Sequence, residues 1–284
     1  MTATDWSGAR VVVTGGASGI GLALARRAAS LGAIVCILDI DGARAAEAAA
    51  TIGGSARGRA CDVGQADEMV ALAAEIAAEF GGVDMVFANA GVGLGGKLER
   101  VSPADAEWVT SVNYFGIVNA VRAFVPLLRD AAKQARDARF VITGSEHSLG
   151  IPTIGASNVY TASKHAALGL ADVLRSDLQG SGVKVSLLCP GLVATNIYDA
   201  KATRADRFGG AAHLPPEHYA QARAFVSSKG QDPALTAELC FEGLDRDGFL
   251  IITDPDVGVF ARRRIAEIEA ALVIVEQRLP SAGA

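Results

Sequence analysis

The sequence predicts an α/β protein with a doubly wound parallel sheet in a single domain. Short runs of β-branched and other apolar residues alternate with helix-like stretches from residue 11 onward, and the runs show no polar alternation. Continuous apolar runs are typical of strands buried on both faces, and regular strand–helix alternation is typical of a parallel sheet. No repeat or low-complexity linker divides the 284 residues, so we expect one core.

The elements follow in order along the chain. The predicted strands are the apolar runs at 11–13, 34–38, 59–61, 84–88, 140–142, 183–188 and 249–252. The predicted helices are 20–31, the Ala-rich stretch 42–50, 67–80, 103–129, 159–178 and 257–280. The segment 196–231 carries Gly209-Gly210 and Pro215-Pro216, which indicates a variable segment that covers the substrate site.

The C-terminal helix carries an apolar stripe. Its residues recur at intervals of three and four: Ile265, Ile268, Leu272, Val275 and Leu279. We expect this stripe to pack on the body of the protein or on a second subunit of a homodimer or homotetramer. Two heptads are too few for an independent coiled coil.

Composition excludes several classes of function. The net charge is −5 with a pI near 5.4, so nothing basic suggests nucleic acid or an anionic membrane. We expect a cytoplasmic protein with no membrane span. Cys36, Cys61, Cys189 and Cys240 show no C-x-x-C spacing and are interpreted as buried, reduced thiols. The histidines at 213 and 218 lack metal-ligand spacing, so no metal is expected.

A glycine-rich turn, Thr14–Gly21, follows the first strand and opens the first helix. Glycines let backbone N–H groups approach a pyrophosphate, which the helix N-terminus stabilises with its partial positive charge. Asp39 ends the second strand, 18 residues beyond Gly21, where a carboxylate can accept both ribose hydroxyls of an adenosine. No Arg or Lys lies at 16–18 or at 40–41 to offset a 2′-phosphate, so the pattern favours NAD over NADP.

Tyr160 and Lys164 are four residues apart in a predicted helix, so they share one face. A free tyrosine has a pKa of about 10 and transfers protons poorly at pH 7. A nearby lysine cation favours phenolate and should lower the pKa of the Tyr160 phenol. The pair is a candidate general acid/base.

With T-G-x-x-x-G-x-G and Y-x-x-x-K in one chain, the sequence resembles the short-chain dehydrogenase/reductase family, which has the Rossmann fold. Four more motifs stand in the same order: Asp62-Val63, Asn89-Ala90-Gly91, Asn113, and Pro190-Gly191-Leu192-Val193-Ala194-Thr195. The resemblance is close over roughly residues 8–195 and loose from 250 onward.

The resemblance implies a site. The residues expected at the cofactor are Gly15, Ser18, Gly19, Ile20, Gly21, Asp39, Asp62, Val63, Asn89, Ala90, Gly91, Tyr160, Lys164, Pro190, Gly191, Val193 and Thr195. Asp62 and Val63 would hold the adenine, and Val193 and Thr195 the carboxamide. Lys164 would contact the nicotinamide ribose, and Asn113 would hold a water that links Lys164 to solvent.

The active serine is open between two positions. The family spacing of 13 residues before the tyrosine falls on His147, and the neighbouring serines are Ser145 and Ser148. Ser145 directly follows the fifth strand and is favoured, with a two-residue insertion assigned to the stretch 153–158. His147 would then line the substrate cleft.

The expected function is an NAD-dependent oxidoreductase that acts on a hydrophobic secondary alcohol or ketone, with Asn113, Ser145, Tyr160 and Lys164 as the catalytic set. The apolar residues expected around the substrate are Leu149, Ile151, Ile154, Ile197, Tyr198, Phe208, Leu214, Tyr219 and Phe225, with Arg204 and Arg207 solvated. Two alternatives stay open: an epimerase or dehydratase on the same scaffold, and a dinucleotide-sensing regulator without catalysis.

Overall fold

The computed structural model describes residues 4–152, 158–212 and 215–279, and it contains a seven-stranded, all-parallel sheet. The strands are β1 (Arg10–Thr14), β2 (Ile34–Asp39), β3 (Arg57–Ala60), β4 (Met85–Ala88), β5 (Ala138–Thr143), β6 (Val183–Cys189) and β7 (Leu250–Ile252). Their order in the sheet is β3-β2-β1-β4-β5-β6-β7. The order in which strands are added therefore reverses at this point. The strands β1 to β3 extend towards one edge of the sheet, and β4 to β7 extend towards the other.

Helices cover both faces of this sheet. They are α1 (Gly19–Ser30), α2 (Gly42–Ile52), α3 (Ala66–Phe80), α4 (Pro103–Thr110), α5 (Gly116–Lys133), α6 (Val159–Asp177), α7 (Pro216–Lys229), α8 (Pro233–Asp245) and α9 (Val257–Glu276). On one face Val12 and Phe140 pack with Phe124 of α5, and on the other Val13 and Phe87 pack with Phe241 of α8. Burial on both faces is the reason why the strand sequences show no alternation, and it confirms the predicted fold class.

Two differences from the predicted boundaries bear on the site. The third strand is Arg57–Ala60, so Cys61 lies beyond its end. The predicted helix 103–129 consists of α4 and α5 joined by a π-helical turn, Ser111–Phe115. This wider turn holds Asn113 inside the protein with 1% of its surface exposed.

Two helices lie where the sequence predicts none. The stretch 196–231, interpreted as a variable segment that covers the substrate site, contains α7, and α8 follows it. Asp232 accepts a hydrogen bond from the Ala234 N–H at 2.8 Å and Pro233 occupies the first turn of α8. An Asp-Pro step before an apolar stretch is a helix-start signal, and it could have revealed α8.

One described helix, the stretch Pro103–Lys133, is long and apolar enough to cross a membrane by length and composition alone. Half of its most apolar window is buried inside the domain, as in the core helix of a soluble protein.

All four cysteines are free and buried, and burial raises the pKa of each thiol to about 12.

Candidate active site

A cleft of about 670 Å³ opens along the carboxyl ends of the strands, beside the reversal between β1 and β4. Ligands of doubly wound sheets bind at this position. The cleft is lined by every cofactor residue predicted from sequence: Gly15, Ser18, Gly19, Ile20, Gly21, Asp39, Asp62, Val63, Asn89, Ala90, Gly91, Tyr160, Lys164, Pro190, Gly191, Val193 and Thr195. The catalytic candidate Ser145 lies in it as well.

The turn between β1 and α1 has the shape of a dinucleotide cradle. Gly15 and Gly19 have φ angles of 61° and 52°, which L side chains rarely adopt. A Cβ on Gly21 would lie 2.2 Å from the Gly15 carbonyl oxygen, and one on Gly19 would lie 3.0 Å from the Thr195 methyl. Backbone N–H groups at the start of α1 are thus open to a pyrophosphate, with Thr195 facing them. The residues present fit the expected cofactor.

Asn89 joins the carboxyl ends of three strands. Its side-chain amide donates to the Thr14 carbonyl at 3.1 Å, and its oxygen accepts from the Thr143 hydroxyl at 3.1 Å. Its backbone N–H donates to the Thr14 hydroxyl at 3.0 Å. These bonds hold β1, β4 and β5 in register, so Asn89 shapes the floor of the cleft.

Asp39 lies at the end of β2, and its carboxylate accepts from the Ala17 and Asp41 N–H groups at 3.1 and 3.2 Å. Burial raises the pKa of Asp39, while the backbone bonds and the Arg44 charge act in the opposite direction. Arg44 also lines the cleft. The sequence argument, which considered cations only at 16–18 and 40–41, missed this arginine.

Asp62 is bound by the covering segment. Its carboxylate pairs with Arg207 Nη1 at 2.5 Å and also accepts from the Gly64 N–H at 2.9 Å. Arg204 pairs with Asp105 at 2.7 Å and is only 13% exposed. The interpretation of Arg204 as solvated is therefore wrong, whereas Arg207 remains 37% exposed while it pairs with Asp62. Beside Asp62, the Val63 carbonyl accepts from Asn119 at 2.8 Å.

The two candidate serines have different surroundings. Ser145 follows β5 directly and lines the cleft with Tyr160, and the Ser145 side chain acts to lower the pKa of the Tyr160 phenol. The Ser148 hydroxyl accepts from the Ser145 N–H at 3.1 Å, is 1% exposed and does not line the cleft. The fold therefore brings Ser145 to Tyr160 and uses Ser148 to hold the loop.

His147 packs against the ring of Tyr160. The two rings meet edge to face with centroids 5.2 Å apart, and His147 Nδ1 lies 2.9 Å from the Thr161 hydroxyl. Burial, followed by the Lys164 charge, lowers the pKa of His147 to about 4. A neutral imidazole thus supports the ring of Tyr160 from within the cleft.

Lys164 is 5% exposed and donates to the Thr143 carbonyl at 2.9 Å. Burial lowers its pKa to about 8. Its ammonium nitrogen lies 5.8 Å from the centroid of the Tyr160 ring. A Cβ on Gly91 would lie 3.4 Å from this nitrogen, so glycine there keeps the space beside the ammonium clear.

The expected fall in the pKa of Tyr160 is wrong for this structure. Burial raises that pKa to about 12, the Ser145 side chain acts in the opposite direction, and the Glu146 charge adds to the rise. The Lys164 charge is not among the causes. The phenol is therefore the resting form of Tyr160.

Asn113 has a structural task. Its side-chain oxygen accepts from the Val92 N–H at 2.8 Å, and its amide donates to the Val92 carbonyl and the Ser163 hydroxyl, each at 3.0 Å. These bonds fix the loop after β4 against α6. Both amide hydrogens are used, so the predicted water would depend on the second lone pair of the oxygen.

The loop after β6 forms a further wall of the cleft. The Pro190 carbonyl accepts from the Glu146 N–H at 2.7 Å, and Val193 pairs with Gln231. A Cβ on Gly191 would lie 2.5 Å from the Asp254 carboxylate.

Burial, and then the charges of Asp254 and Asp256, raise the pKa of Glu146 to about 7. The sequence analysis did not single out Glu146, which carries no motif.

The apolar residues expected at the substrate are only partly brought together. Ile197 and Tyr198 line the cleft, together with Leu94, Trp108 and Leu192. Phe208 packs against Trp108 and Val109, Leu149 packs on the main core, and Phe225 is 46% exposed. Ile151 is 52% exposed beside α9. Ile154, Leu214 and the Tyr219 side chain lie outside the described residues, as does the proposed insertion within 153–158.

Among the described residues there is no group of three or more His, Cys, Asp or Glu that could hold a metal ion.

The comparisons with known proteins give the family. The model of the short chain dehydrogenase family matches residues 9–206. The chain belongs to the short-chain dehydrogenase family. It is 34% identical over 268 residues to a 1-deoxy-11-beta-hydroxypentalenate dehydrogenase of Streptomyces exfoliatus, covering 90% of this chain and 87% of the relative. It is 26% identical to a C alpha-dehydrogenase of a Sphingobium species over 86% of this chain and 80% of that protein.

A solved structure is similar throughout. A short-chain dehydrogenase/reductase from Burkholderia phymatum, determined in complex with NAD, is 33% identical and has a TM-score of 0.85, with 99% of each chain covered. The motif-based recognition of the family is thus confirmed. The chain is an oxidoreductase of this family with a nicotinamide cofactor.

Proposed function

We propose that this enzyme is an NAD-dependent dehydrogenase that interconverts a hydrophobic secondary alcohol and its ketone, with Tyr160 as the general acid/base. The observation that carries the proposal is the grouping of Ser145, Tyr160 and the buried Lys164 in one glycine-lined cleft. A nicotinamide supplies the hydride exchange when it is bound. The protein has to orient the substrate and move one proton.

The proton steps follow from the resting state of the site. In reduction, the Tyr160 phenol donates its proton to the substrate oxygen as that oxygen becomes an alkoxide. In oxidation, the Tyr160 phenolate removes the alcohol proton. Ser145 donates a hydrogen bond to the same oxygen, where the negative charge develops. Asn113 holds the loop after β4 through its hydrogen bonds to Val92. Lys164 donates to the Thr143 carbonyl and would face the nicotinamide ribose.

An apolar substrate fits the walls that are described. Leu94, Trp108, Leu192 and Ile197 line the cleft, and Lys164 and Arg44 are its lining cations. Both are assigned to the cofactor, which leaves no cation among the described lining residues to recognise an anionic substrate. Relatives named as dehydrogenases of a hydroxypentalenate and of a C alpha position support an alcohol oxidation.

NAD is proposed over NADP because the Asp39 carboxylate faces the ribose end of the cleft. Arg44 opposes this preference, so we expect a moderate ratio. The kcat/KM for NAD should exceed that for NADP about tenfold, which is about 1.4 kcal/mol. Arg44→Ala should enlarge the ratio and Asp39→Ala should reverse it. Equal use of both cofactors by the wild type would contradict the assignment of Asp39.

The proton role is tested by Tyr160→Phe, which deletes the transferable proton and keeps the ring. We expect turnover to fall at least 1,000-fold while the NADH dissociation constant changes less than threefold. Ser145→Ala should lower kcat about 100-fold. Ser148→Ala is the matched control within the same loop and should change kcat little. Retention of a tenth of wild-type kcat in Tyr160→Phe would exclude the assignment.

A turnover assay with a panel of secondary alcohols also separates the proposed function from the two alternatives. Net NADH formation in proportion to the ketone marks a dehydrogenase, whereas an epimerase or dehydratase regenerates its cofactor in each turnover. A regulator would bind NADH without turnover over a panel of secondary alcohols.

A further inference from the structure

Gln231, the last residue of the covering segment 196–231, is paired with the loop after β6, residues 190–195. Its N–H donates to the Leu192 carbonyl at 2.8 Å, and its carbonyl accepts from the Ala194 N–H at 2.9 Å. The loop lines the cleft, whereas Gln231 is not among the described residues that line it. Gln231 therefore holds the backbone of a cleft wall without facing the cleft itself.

The side chain of Gln231 is fixed by two further elements. Its Nε2 donates to the carbonyl of Thr253, directly beyond β7, at 2.9 Å. Its Oε1 accepts from the hydroxyl of Thr236, a fully buried residue of α8, at 2.7 Å. An amide that uses both its donor and its acceptor in this way has one fixed orientation. Gln231 thus connects the loop after β6 to β7 and α8.

Gly230 shows how closely the end of the covering segment approaches this loop. A Cβ on Gly230 would lie 2.6 Å from the Ala194 nitrogen and 2.7 Å from the Val226 carbonyl oxygen. Only glycine allows such an approach. The covering segment therefore leaves the loop after Thr195 and returns to it at Gly230, and the bonds of Gln231 hold the returning end on the body.

We propose that Gln231 is a positioning residue for the nicotinamide end of the bound cofactor. It acts through the loop after β6, whose Val193 and Thr195 are the residues that the family resemblance assigns to the carboxamide. The proposal rests on the nicotinamide cofactor of the family. It depends neither on the substrate class nor on the preference for NAD over NADP.

The sheet separates this end of the cleft from the other. Asp39 ends β2 and Asp62 follows β3, on one side of β1, whereas β6 and β7 lie on the other side, beyond β4 and β5. The bonds of Gln231 are all made to the loop after β6, the end of β7 and α8. Loss of its side chain should therefore loosen the nicotinamide end and leave the adenosine end unchanged.

Binding of NADH and of ADP-ribose, which lacks the nicotinamide, tests this separation. Gln231→Met keeps the length of the side chain and removes both of its hydrogen bonds. We expect the dissociation constant of NADH to rise about tenfold and that of ADP-ribose to change less than twofold. Thr236→Val, which removes one of the two bonds and leaves Gln231 in place, should raise the NADH constant about threefold.

Hydrogen exchange gives a second measurement that needs no ligand. The Ala194 N–H is held by the Gln231 carbonyl, so a peptide that contains residues 190–195 should exchange faster in Gln231→Met than in wild type. Ser228→Ala is the matched control, because it removes an exposed hydrogen bond to the Phe225 carbonyl within α7. Both dissociation constants and the exchange of the loop should equal those of wild type in this control.

Two results would overturn the proposal. An equal rise of both dissociation constants in Gln231→Met would indicate general loosening of the fold. An unchanged NADH constant with a lower Tm would mean that Gln231 only supports the start of α8. Thr236→Val carries the same comparison if Gln231→Met does not fold. A wild-type preference for NADPH would contradict the cofactor choice alone, and the comparison would then use NADPH and 2′-phospho-ADP-ribose.

Discussion

At the scale of single residues, the chemistry of the site depends on what surrounds Tyr160. The His147 ring packs against the Tyr160 ring, the Ser145 side chain acts to lower the pKa of the phenol, and the Glu146 charge acts to raise it. The four-residue step to Lys164 could be predicted from sequence, because helix geometry dictates it. The direction of the pKa change could not, because burial depends on the whole fold.

The pH dependence of oxidation follows from this rise. The phenolate is the reactive form in oxidation, so kcat/KM should increase with pH from 6 to 9 without a plateau below pH 8. Glu146 has a pKa of about 7 and is charged above it. Glu146→Gln removes that charge, so the rising limb should move to lower pH and oxidation at pH 8 should increase about threefold.

Reduction is the internal control for this variant, because it needs the phenol, which is the resting form. The rate of reduction near pH 7 should change less than twofold in Glu146→Gln. Profiles of oxidation that superpose for wild type and variant would contradict an influence of Glu146 on Tyr160.

At the scale of elements, the covering segment 196–231 is tied to the body, over its part 196–212, by ion pairs that its sequence did not reveal. Arg207 joins it to Asp62 after β3, and Arg204 and Lys201 join it to Asp105 of α4. A polar stretch with glycines is typical of a solvated loop. The carboxylates that bind it lie more than 90 residues earlier, so only the fold brings them together.

The Arg207 contact should slow cofactor release, since Asp62 lines the cleft and is the residue that the family resemblance assigns to the adenine. Arg207 is 37% exposed, and such pairs contribute about 0.2–1 kcal/mol. Arg207→Gln should therefore raise the NADH dissociation rate about two- to fivefold at low salt, with a smaller difference at 0.5 M salt. Stopped-flow fluorescence measures this rate.

Arg246→Gln is the matched control, because it removes an exposed ion pair with Glu242 far from the cleft. Its NADH dissociation rate should equal that of wild type. An unchanged rate in Arg207→Gln would show that the pair does not restrain the segment.

At the scale of the whole molecule, a buried charge holds the amino ends of the strands together. Asp84 precedes β4, and its carboxylate accepts from Arg10 Nε at 2.6 Å, from the Arg10 N–H at 2.8 Å, and from Arg136 at 3.1 Å. Its side chain is 6% exposed. The contact lies at the edge of the sheet opposite the cleft, so it stabilises the fold without touching the site.

Asp84→Ala should destabilise the enzyme strongly, because it leaves Arg10, which is 13% exposed, without its carboxylate partner. We expect the free energy of unfolding to fall by about 3 kcal/mol, measured by urea denaturation. Asp130→Ala, in an exposed pair with Lys133, should cost less than about 0.5 kcal/mol. A loss below 1 kcal/mol at Asp84 would mean that Arg10 is solvated after the change.

The sequence by itself determined the fold class, the family and the residues around the cleft, because these depend on short-range spacing. Continuous apolar runs require strands buried on both faces, and the turn Thr14–Gly21 requires close backbone approach wherever it folds. The position of Ser145 directly after β5 likewise favoured it over Ser148.

Tertiary structure alone decided what depends on burial and on distant partners. It placed Arg44 beside Asp39, raised the pKa of Tyr160 through burial, and paired Arg204 and Arg207 with carboxylates far away in sequence. It also left α9 exposed, although its stripe predicted packing. Periodicity shows which face of a helix is apolar, whereas the position of the helix relative to the body decides whether this chain can cover that face.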